Sequence, residues 1–283
     1  MYKHGNIDKI NKVPLDLLEN YIEKKDKGKK IWRDKNVIIC GLARNCQDSI
    51  GKNVELSHRL GEFFKSYKIV ILENNSEDST REKISYYGEI DLIGDDDGED
   101  FSNRFEESRI KRMARYRTNI QNHIKEKYSH YDYTIVIDFD IKLWSIDGVL
   151  TSIAWEKDFD VMGSFSQKWI GAVGSEDGWI HYDRWAFKFH SWEEEWSLKS
   201  DMDMRWFSYW KPPIGAKPIQ CLSVFGGLAI YKMEAFLSGT YGHRHPEEIG
   251  GFNTVEHAQF HYTLHKNGYN KIFLNPSQRC LII

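Results

Sequence analysis

Three short and almost uninterrupted apolar runs constrain the fold of this chain more than any other feature. They lie at 36–41, 68–72 and 133–137, and two segments with apolar residues at helical spacing separate them, at 50–64 and from about 103 to 128. Buried strands that alternate with helices are typical of a parallel sheet covered on both faces. The sequence therefore predicts an α/β fold with a mostly parallel sheet flanked by helices.

Weaker patterns extend this prediction along the chain. The first strand is expected to stop at Gly41, because glycine often ends regular structure. Ser79 and Glu82 have the spacing of a capping box, which predicts that a helix begins there. Residues 151–215 show little periodicity and are expected to form loops and irregular strands over one edge of the sheet. The remaining predicted elements are a strand at 90–93, a strand at 223–231, a helix at 254–266 and a strand at 271–274.

Length and charge indicate one large domain with an N-terminal extension. Residues 1–34 are highly charged and are expected to form a surface helix or an arm, followed by two halves of one domain, 35–150 and 151–283. The net charge of -3 argues against a protein of duplex nucleic acid, which usually needs a basic surface. No apolar run reaches the roughly 18 residues of a membrane span, and no Cys-x-x-Cys pair occurs. We expect a cytoplasmic protein with reduced cysteines.

Tryptophan is concentrated in one stretch of the chain. Seven of the ten tryptophans fall between Trp155 and Trp206. They could form a core, or they could recognise sugars, because indole faces stack on the C–H faces of pyranose rings. Both interpretations stay open from the sequence.

Ligands of open α/β sheets bind at the carboxyl ends of the strands, and polar turns follow three of the predicted strands. These turns are Gly41–Asn45, Glu73–Ser76 and Asp138–Asp140. Asp138 and Asp140 are two residues apart at a strand end, so both carboxylates can point to one site. Hard divalent cations prefer such oxygens, and we predict a Mn²⁺ or Mg²⁺ site here. The same spacing at Asp95–Asp97, Asp158–Asp160 and Asp201–Asp203 does not follow an apolar strand, and we assign it no metal.

Arg117 falls on the apolar stripe of the long predicted helix, with Ile110, Met113 and Ile120. A guanidinium is costly to bury unless it is paired. Arg117 is therefore expected either to form a structural ion pair with a core carboxylate, or to reach a diphosphate or hold Asp138. Arg112 and Arg115 are weaker candidates.

Taken in order, these motifs resemble the donor half of GT-A fold glycosyltransferases. The resemblance rests on Gly41-Leu42-Ala43-Arg44-Asn45, on Glu73-Asn74-Asn75-Ser76, on the arginine-rich helix and on Asp138-Phe139-Asp140, and it covers roughly 36–275. It is strongest to the cryptococcal-type α-1,3-mannosyltransferases and the related viral capsid glycosyltransferases. It implies a Rossmann-like donor half at 35–150, an acceptor half at 151–283, and a nucleotide-sugar as co-substrate. A bacterial or viral origin is expected, because no membrane anchor is evident.

By this resemblance the first two turns would hold the base and ribose, and the Gly-containing loop at 225–227 would lie near the donor sugar. The residues implied to bind the donor are Gly41, Ala43, Arg44, Asn45, Glu73, Asn74, Asn75, Ser76, Arg117, Asp138, Phe139, Gly226 and Gly227. Asp138 and Asp140 would hold the metal, with Asp140 also catalytic. A late histidine often completes the metal site in this family, and the candidates are His257, His261 and His265.

Glu256 opens the last predicted helix and is our candidate for the general base. A helix N-terminus favours a carboxylate, and a base must accept the proton of an acceptor hydroxyl. A plain first-turn charge is the alternative. The acceptor would be a glycan, a glycoprotein or another hydroxyl compound.

Two other functions remain open from the sequence. Haloacid dehalogenase-like phosphatases also place Asp-x-Asp after an apolar strand, but Lys142 stands where they have Thr or Val, and their motif opens the fold. A non-catalytic sugar-binding protein is the third possibility.

Overall fold

The computed structural model describes residues 12–94, 107–170, 178–183, 185–192, 209–244, 246–247, 251 and 254–282. Its helices are α1 (Leu15–Trp32), α2 (Ile50–Gly61), α3 (Thr80–Ser85), α4 (Glu107–Tyr128), α5 (Ile146–Ile153), α6 (Met233–Ser238) and α7 (Glu256–Lys266). Its strands are β1 (Asn36–Ala43), β2 (Ser66–Glu73), β3 (Ile90–Gly94), β4 (Tyr133–Asp138), β5 (Leu143–Trp144), β6 (Val161–Trp169), β7 (Trp179–His181), β8 (Ile219–Gln220), β9 (Leu228–Lys232) and β10 (Ile272–Ile282).

One mixed sheet contains the strands of the described residues. Its order is β3-β2-β1-β4-β9-β6-β10-β5, with β7 paired to β6 and β8 paired to β10. Strands β3, β2, β1 and β4 are parallel, β9 is antiparallel to both β4 and β6, and β6 is parallel to β10. The predicted α/β class with a mostly parallel, helix-flanked sheet is confirmed.

Two apolar clusters lie on opposite faces of this sheet. Residues of α1, α2 and α5 pack on one face, and residues of α4, α6 and α7 pack on the other. Trp32, at the end of α1, is fully buried against Phe64 and Tyr133, with ring centroids 4.8 and 5.3 Å away. The charged N-terminal segment is thus a helix with one end in the core, while residues 1–11 lie outside the described part.

The first strand does not stop at Gly41, as the sequence predicted, but continues to Ala43. Gly41 pairs with Ile71 on one side and Ile137 on the other. A Cβ at Gly41 would overlap the carbonyl oxygen of Ile137. Glycine is therefore required here for close strand packing and does not end the strand.

Two strands of the second half were also underestimated. Residues 161–169 form the regular nine-residue strand β6, where the sequence predicted irregular structure. Its buried Ser164, Ser166 and Gln167 break the apolar pattern that would have revealed it. The last strand, predicted to end at 274, continues to Ile282 through a shift in register between Asn275 and Arg279.

The predicted capping box at Ser79 is wrong. Helix α3 does begin at Thr80, but the Ser79 side chain makes no capping hydrogen bond. Instead the backbone N–H of Thr80 donates to the Asp78 carboxylate over 2.9 Å. An aspartate two residues before the helix provides the same stabilisation of an unpaired N–H group.

All four cysteines are buried and unpaired. Burial raises the pKa of the Cys40, Cys46 and Cys280 thiols to about 12. In the described part of the chain, no helix combines the length and the apolar character needed to cross a membrane.

Candidate active site

The turn after β4 carries Asp138, Phe139 and Asp140 and is fixed from two sides. The backbone N–H of Asp138 donates to the carbonyl of Gly227 over 2.9 Å, and that of Phe139 donates to the carbonyl of Leu42 over 3.4 Å. The Phe139 ring is fully buried in the core. The ring anchors the turn, and the two aspartates on either side of it lie at the carboxyl edge of the sheet.

Side chains at the start of helix α2 hydrogen-bond to the backbone of this turn. Asn53 Nδ2 donates to the carbonyls of Phe139 and Ile141, over 2.9 and 2.7 Å, and Ser49 Oγ donates to the Phe139 carbonyl over 3.0 Å. Both polar side chains are buried. The backbone of the turn therefore has its hydrogen bonds satisfied inside the protein, which leaves the aspartate side chains for other partners.

The two aspartates form a site with an excess of negative charge. Burial raises the pKa of the Asp138 carboxyl to about 7; the nearby Arg117 lowers it, but the Asp140 charge adds to the rise. The Asp140 carboxylate is exposed to solvent beside it. Arg117 therefore does not fully compensate the pair, and a cation would stabilise both ionised carboxylates.

Arg117 connects the two sides of the site. Its side chain is 3% exposed; Nη2 donates to Asp138 Oδ1 over 2.8 Å, and Nε donates to Glu256 Oε1 over 3.0 Å. The guanidinium lies over the Phe225 ring, 5.2 Å from its centroid. Nη1 is buried without a partner among the described residues. The structural ion pair and the contact with Asp138, which the sequence offered as alternatives, both occur.

The glycine loop before β9 meets the aspartate turn directly. Gly226 and Gly227 have φ of 66° and 82°, in the left-handed region that glycine adopts most easily. The N–H of Gly226 donates to Asp183 Oδ2 over 2.6 Å, and a Cβ at this position would overlap the Ser164 carbonyl. Gly226 is needed for the close approach of this loop to β6, whereas at Gly227 it is the positive φ that favours glycine.

Glu256 begins α7 and lies across Arg117 from Asp138. Its neighbour His257 is buried, with Nε2 3.9 Å from Glu256 Oε1 and its ring stacked on Phe225 at a centroid distance of 3.6 Å. Burial lowers the pKa of His257 well below its usual value, so the imidazole is neutral. Neither ring nitrogen has a hydrogen-bond partner in the described part of the chain.

The other two candidate histidines make contacts within the fold. His261 is fully buried, with Ser223 Oγ 2.8 Å from Nδ1 and the Tyr231 hydroxyl 3.0 Å from Nε2. His265 Nε2 lies 3.2 Å from the Leu222 carbonyl. Because these contacts occupy both nitrogens of His261, the prediction of a metal ligand there is corrected. One nitrogen of His265 is engaged by a main-chain carbonyl, and its assignment as a ligand stays a prediction.

The turns after β1 and β2 are hydrogen-bonded to each other. The N–H of Asn45 donates to Ser76 Oγ over 3.0 Å, and the N–H of Glu77 donates to Asn45 Oδ1 over 2.8 Å. Asn45 and Asn75 have φ of 44° and 42°, a conformation that asparagine tolerates. Asn45 is exposed, and Arg44, Asn75 and Ser76 are half-buried, so these four predicted donor-binding residues lie at the surface.

Five other residues predicted to bind the donor have buried side chains or lack one, namely Gly41, Ala43, Glu73, Asn74 and Phe139. Glu73 accepts hydrogen bonds from the Ser76 N–H and from Arg81 Nε, so its carboxylate shapes the turn. Phe139 fills the core and Gly41 allows strand packing. The burial of these five residues leaves main-chain groups as their means of contacting a donor, and the prediction that they bind it stays a prediction.

The tryptophan-rich stretch divides between core and surface. Trp179 is buried, whereas Trp185 is 43% exposed. Trp192 packs edge-on against Tyr262, with ring centroids 5.3 Å apart. Trp196 and Trp206 lie outside the described residues.

Comparison with known proteins gives similarity of fold. No protein-family profile and no curated protein matches the chain. Similar solved structures include the mannosyltransferase PcManGT from Pyrobaculum calidifontis in complex with GDP-Man and Mn²⁺, with 16% identity, 94% of this chain and 64% of that chain covered, and a TM-score of 0.43. A second is M. tuberculosis glucosyl-3-phosphoglycerate synthase, with 11% identity, 93% of this chain and 75% of that chain covered, and a TM-score of 0.47.

A third is S. aureus TarS 1-349, with 13% identity, 87% of this chain and 60% of that chain covered, and a TM-score of 0.46. This chain therefore spans less than two thirds of the length of two of these structures. At such low identity and TM-score, the similarity supports no conclusion about the site or the activity.

The donor set at the aspartate turn suits a hard cation that also binds phosphate. Among the residues that the structure describes, no group of three or more His, Cys, Asp or Glu side chains could enclose a metal ion. Mg²⁺-type sites commonly use only one or two carboxylates and complete their shell with water and substrate phosphates. Asp138 and Asp140 fit that pattern, with uncompensated charge and oxygen ligands.

Two residues of the site were not found from the sequence. Asn53 holds the aspartate turn, and Asp183 holds the glycine loop. Asn53 stands on the buried face of α2, where its polar side chain in an apolar stripe was the available signal. Asp183 follows the short strand β7 without any local pattern that marks it.

Proposed function

We propose that this chain is a metal-dependent glycosyltransferase of the GT-A type, which transfers a sugar from a nucleotide-sugar to a hydroxyl of a glycan, glycoprotein or other acceptor. One observation carries the proposal: a buried arginine joins an aspartate of a two-carboxylate turn to a carboxylate at a helix N-terminus. Asp138, proposed to bind the metal with Asp140, and Glu256, the candidate base, thus contact the same guanidinium.

The donor would lie along that edge. Arg44, Asn45, Asn75 and Ser76 would contact the base and ribose, and Asp138 and Asp140 would hold Mn²⁺ or Mg²⁺. When bound, the metal would act as a Lewis acid on the nucleoside diphosphate. Arg117 Nη1, buried without a partner among the described residues, is a donor available to a diphosphate oxygen.

The acceptor would approach from the side of Glu256. Its carboxylate is oriented by Arg117 Nε and lies at the N-terminus of α7, where the helix dipole favours negative charge. Glu256 would take the proton of the acceptor hydroxyl as that oxygen attacks the donor sugar. A single displacement of this kind inverts the anomeric configuration. Trp185, exposed in the second half, is a candidate surface for stacking of an acceptor sugar.

A thermal-shift screen of nucleotide-sugars, with and without Mn²⁺, tests the donor class. A donor at about 100 times its Kd adds about 2.7 kcal/mol to the free energy of unfolding. At least one nucleotide-sugar should stabilise the chain in Mn²⁺ and not in chelator. Stabilisation by none of the nucleotide-sugars would refute the proposal and favour a sugar-binding protein without catalytic activity. Release of phosphate from simple phosphomonoesters would refute it and favour a phosphatase.

Glu256→Gln tests the base. It keeps the size of the side chain and a hydrogen-bond acceptor for Arg117, but it cannot take a proton. We expect turnover to fall by about 10²–10⁴-fold while donor binding persists. Glu234→Gln changes an exposed carboxylate in the first turn of α6; it is the matched control and should be neutral. Near-normal turnover of Glu256→Gln, or a product with retained anomeric configuration by NMR, would remove Glu256 from the mechanism.

A further inference from the structure

Helix α1 presents a row of apolar side chains to solvent. Leu15, Leu18 and Ile22 are 85%, 37% and 44% exposed. Residues three and four positions apart share one face of a helix, so the three side chains form a continuous row. The opposite face of α1 packs in the core, where Gly28 and Trp32 are buried. The fold therefore does not use the apolar row, and a contiguous exposed apolar patch is typical of an interaction surface.

The charge of this segment is opposite in sign to that of the chain. Residues 12–33 contain seven Lys or Arg and four Asp or Glu, whereas the whole chain has a net charge of -3. Two of the four carboxylates, Glu23 and Asp26, are paired with lysines of the helix itself. In the described part of the chain, no salt bridge includes Lys30 or Arg33. Unpaired cations therefore remain at the carboxyl end of α1.

These cations lie on the same side of the helix as the apolar row. Arg33 keeps helical backbone angles at the end of α1, with φ of -59° and ψ of -21°. A turn of about 100° per residue places Arg33 in line with Leu15, and Lys30 about 60° from it. Glu19, about 40° from Leu15, adds one negative charge on this side. The exposed face of α1 thus combines an apolar row with a net positive charge.

An anionic bilayer is the partner that fits such a face. Interfacial helices insert one apolar face at the boundary between headgroups and acyl chains, while their Lys and Arg side chains contact anionic headgroups. Long basic side chains reach the headgroups while their aliphatic stems stay on apolar surface. A single convex helix face offers no groove for a peptide, whereas a fluid bilayer adapts to its shape.

We propose that the exposed face of α1 docks the chain on an anionic lipid surface. Leu15, Leu18 and Ile22 would enter the headgroup boundary, and Lys30 and Arg33 would contact the anionic headgroups. The helix remains attached to the domain through its buried end at residue 32, so docking requires no unfolding. This proposal does not depend on the glycosyltransferase activity.

Co-sedimentation of the full chain with phosphatidylcholine vesicles, with and without phosphatidylserine, tests the proposal. We expect binding to the phosphatidylserine vesicles alone, and weaker binding at higher salt because salt screens the charges. Leu15→Gln with Ile22→Gln should abolish binding. Lys30→Gln with Arg33→Gln should weaken it by about tenfold or more, because each cation near an anionic surface adds to the affinity.

Two substitutions away from α1 serve as matched controls. Tyr86→Gln removes a side chain that is 73% exposed near the end of α3, and Lys125→Gln removes an exposed charge on α4. Both should bind vesicles as the wild type does. Weaker binding in both would show attraction that does not depend on the exposed face of α1, and it would overturn the proposal.

Absence of binding to phosphatidylserine vesicles would overturn the proposal, and so would binding that Leu15→Gln with Ile22→Gln leaves unchanged. If this double variant does not fold, Leu15→Gln alone decides, because its side chain is the most exposed of the three. Sedimentation equilibrium without lipid examines a second copy as the occupant. A wild-type dimer that the double variant dissociates would place a second copy on this face and refute lipid docking.

Discussion

At the level of one residue, the ionised Asp138 carboxylate lowers the stability of the folded chain. It accepts a hydrogen bond from Arg117, which favours its ionised form, yet its pKa rises to about 7 because burial and Asp140 outweigh that contact. A carboxyl whose pKa is higher in the folded than in the unfolded chain stabilises the fold only while it is protonated. The contribution is therefore present below about pH 4 and is lost as the pH rises towards 7.

Asp138→Asn is expected to change this pH dependence. In metal-free buffer at pH 8 the variant should be more stable than the wild type, by on the order of 2 kcal/mol, because it removes a half-buried charge from beside Asp140. The difference should shrink as the pH falls from 7 to 4, where the wild-type carboxyl is protonated. Denaturant unfolding at several pH values measures it.

Mn²⁺ provides the internal control for that experiment. The ion should raise the melting temperature of the wild type at pH 8 and leave that of Asp138→Asn nearly unchanged. A variant that is less stable than the wild type at pH 8 without metal would show that the Arg117 contact dominates at Asp138. The sequence identified Asp138 and Arg117 because each interrupts an apolar pattern. It could not show that Arg117 joins Asp138 to Glu256, 118 residues further along than Asp138.

At the level of elements, the aspartate turn depends on helix α2 for its shape. Asn53 is one side chain that holds two carbonyls of the turn, while its helix packs in the core through Ile50, Val54 and Leu60. The apolar spacing was enough to predict this helix. The role of the buried Asn53 could not be predicted, because its hydrogen-bond acceptors lie in the turn after β4, which is distant in the sequence.

Asn53→Leu should destabilise the chain by about 1–3 kcal/mol, because two buried carbonyls lose a donor and only that of Phe139 keeps another, from Ser49. It should also weaken Mn²⁺ binding measured by calorimetry, since the turn loses its support. Ser57→Ala is the matched control on the same helix, because Ser57 Oγ donates only to the Asn53 carbonyl of its own helix. Equal metal affinity in Asn53→Leu and the wild type would show that metal binding does not depend on the support of the turn by Asn53.

The strands that were missed share a cause. In β6, the buried serines hydrogen-bond to neighbouring groups. Ser164 Oγ donates to the Leu228 carbonyl over 2.7 Å, and the N–H of Asp183 donates to Ser166 Oγ over 3.2 Å. In β10, Pro276 lies within the shift of register that lets the strand continue. Tertiary partners make these polar and proline residues compatible with a strand, and no local pattern reveals such partners.

At the scale of the molecule, strand β9 joins the two halves of the sheet. It comes from the second half of the chain, yet it pairs antiparallel with β4 of the first half and with β6 of its own. The sequence predicted the parallel first half correctly, but the position of β9 depends on pairings across about 90 residues. Each half alone would expose an unpaired apolar strand edge.

Fragments 1–157 and 158–283, produced separately, should therefore be unfolded or insoluble, whereas co-production should yield a folded one-to-one complex. Circular dichroism and size-exclusion chromatography distinguish these outcomes. A cooperative unfolding transition in either isolated fragment would contradict the expectation and would show that one half folds on its own.

The buried cysteines make the folded chain unreactive towards thiol reagents. Alkylation requires a thiolate, and thiols that are both inaccessible and raised in pKa to about 12 remain protonated at neutral pH. Maleimide dyes should therefore leave the native protein unmodified. A single cysteine introduced at an exposed position such as Tyr209 would carry one fluorophore with all native cysteines in place. Labelling beyond one dye per chain would then measure the fraction of molecules that have unfolded far enough to expose a native cysteine.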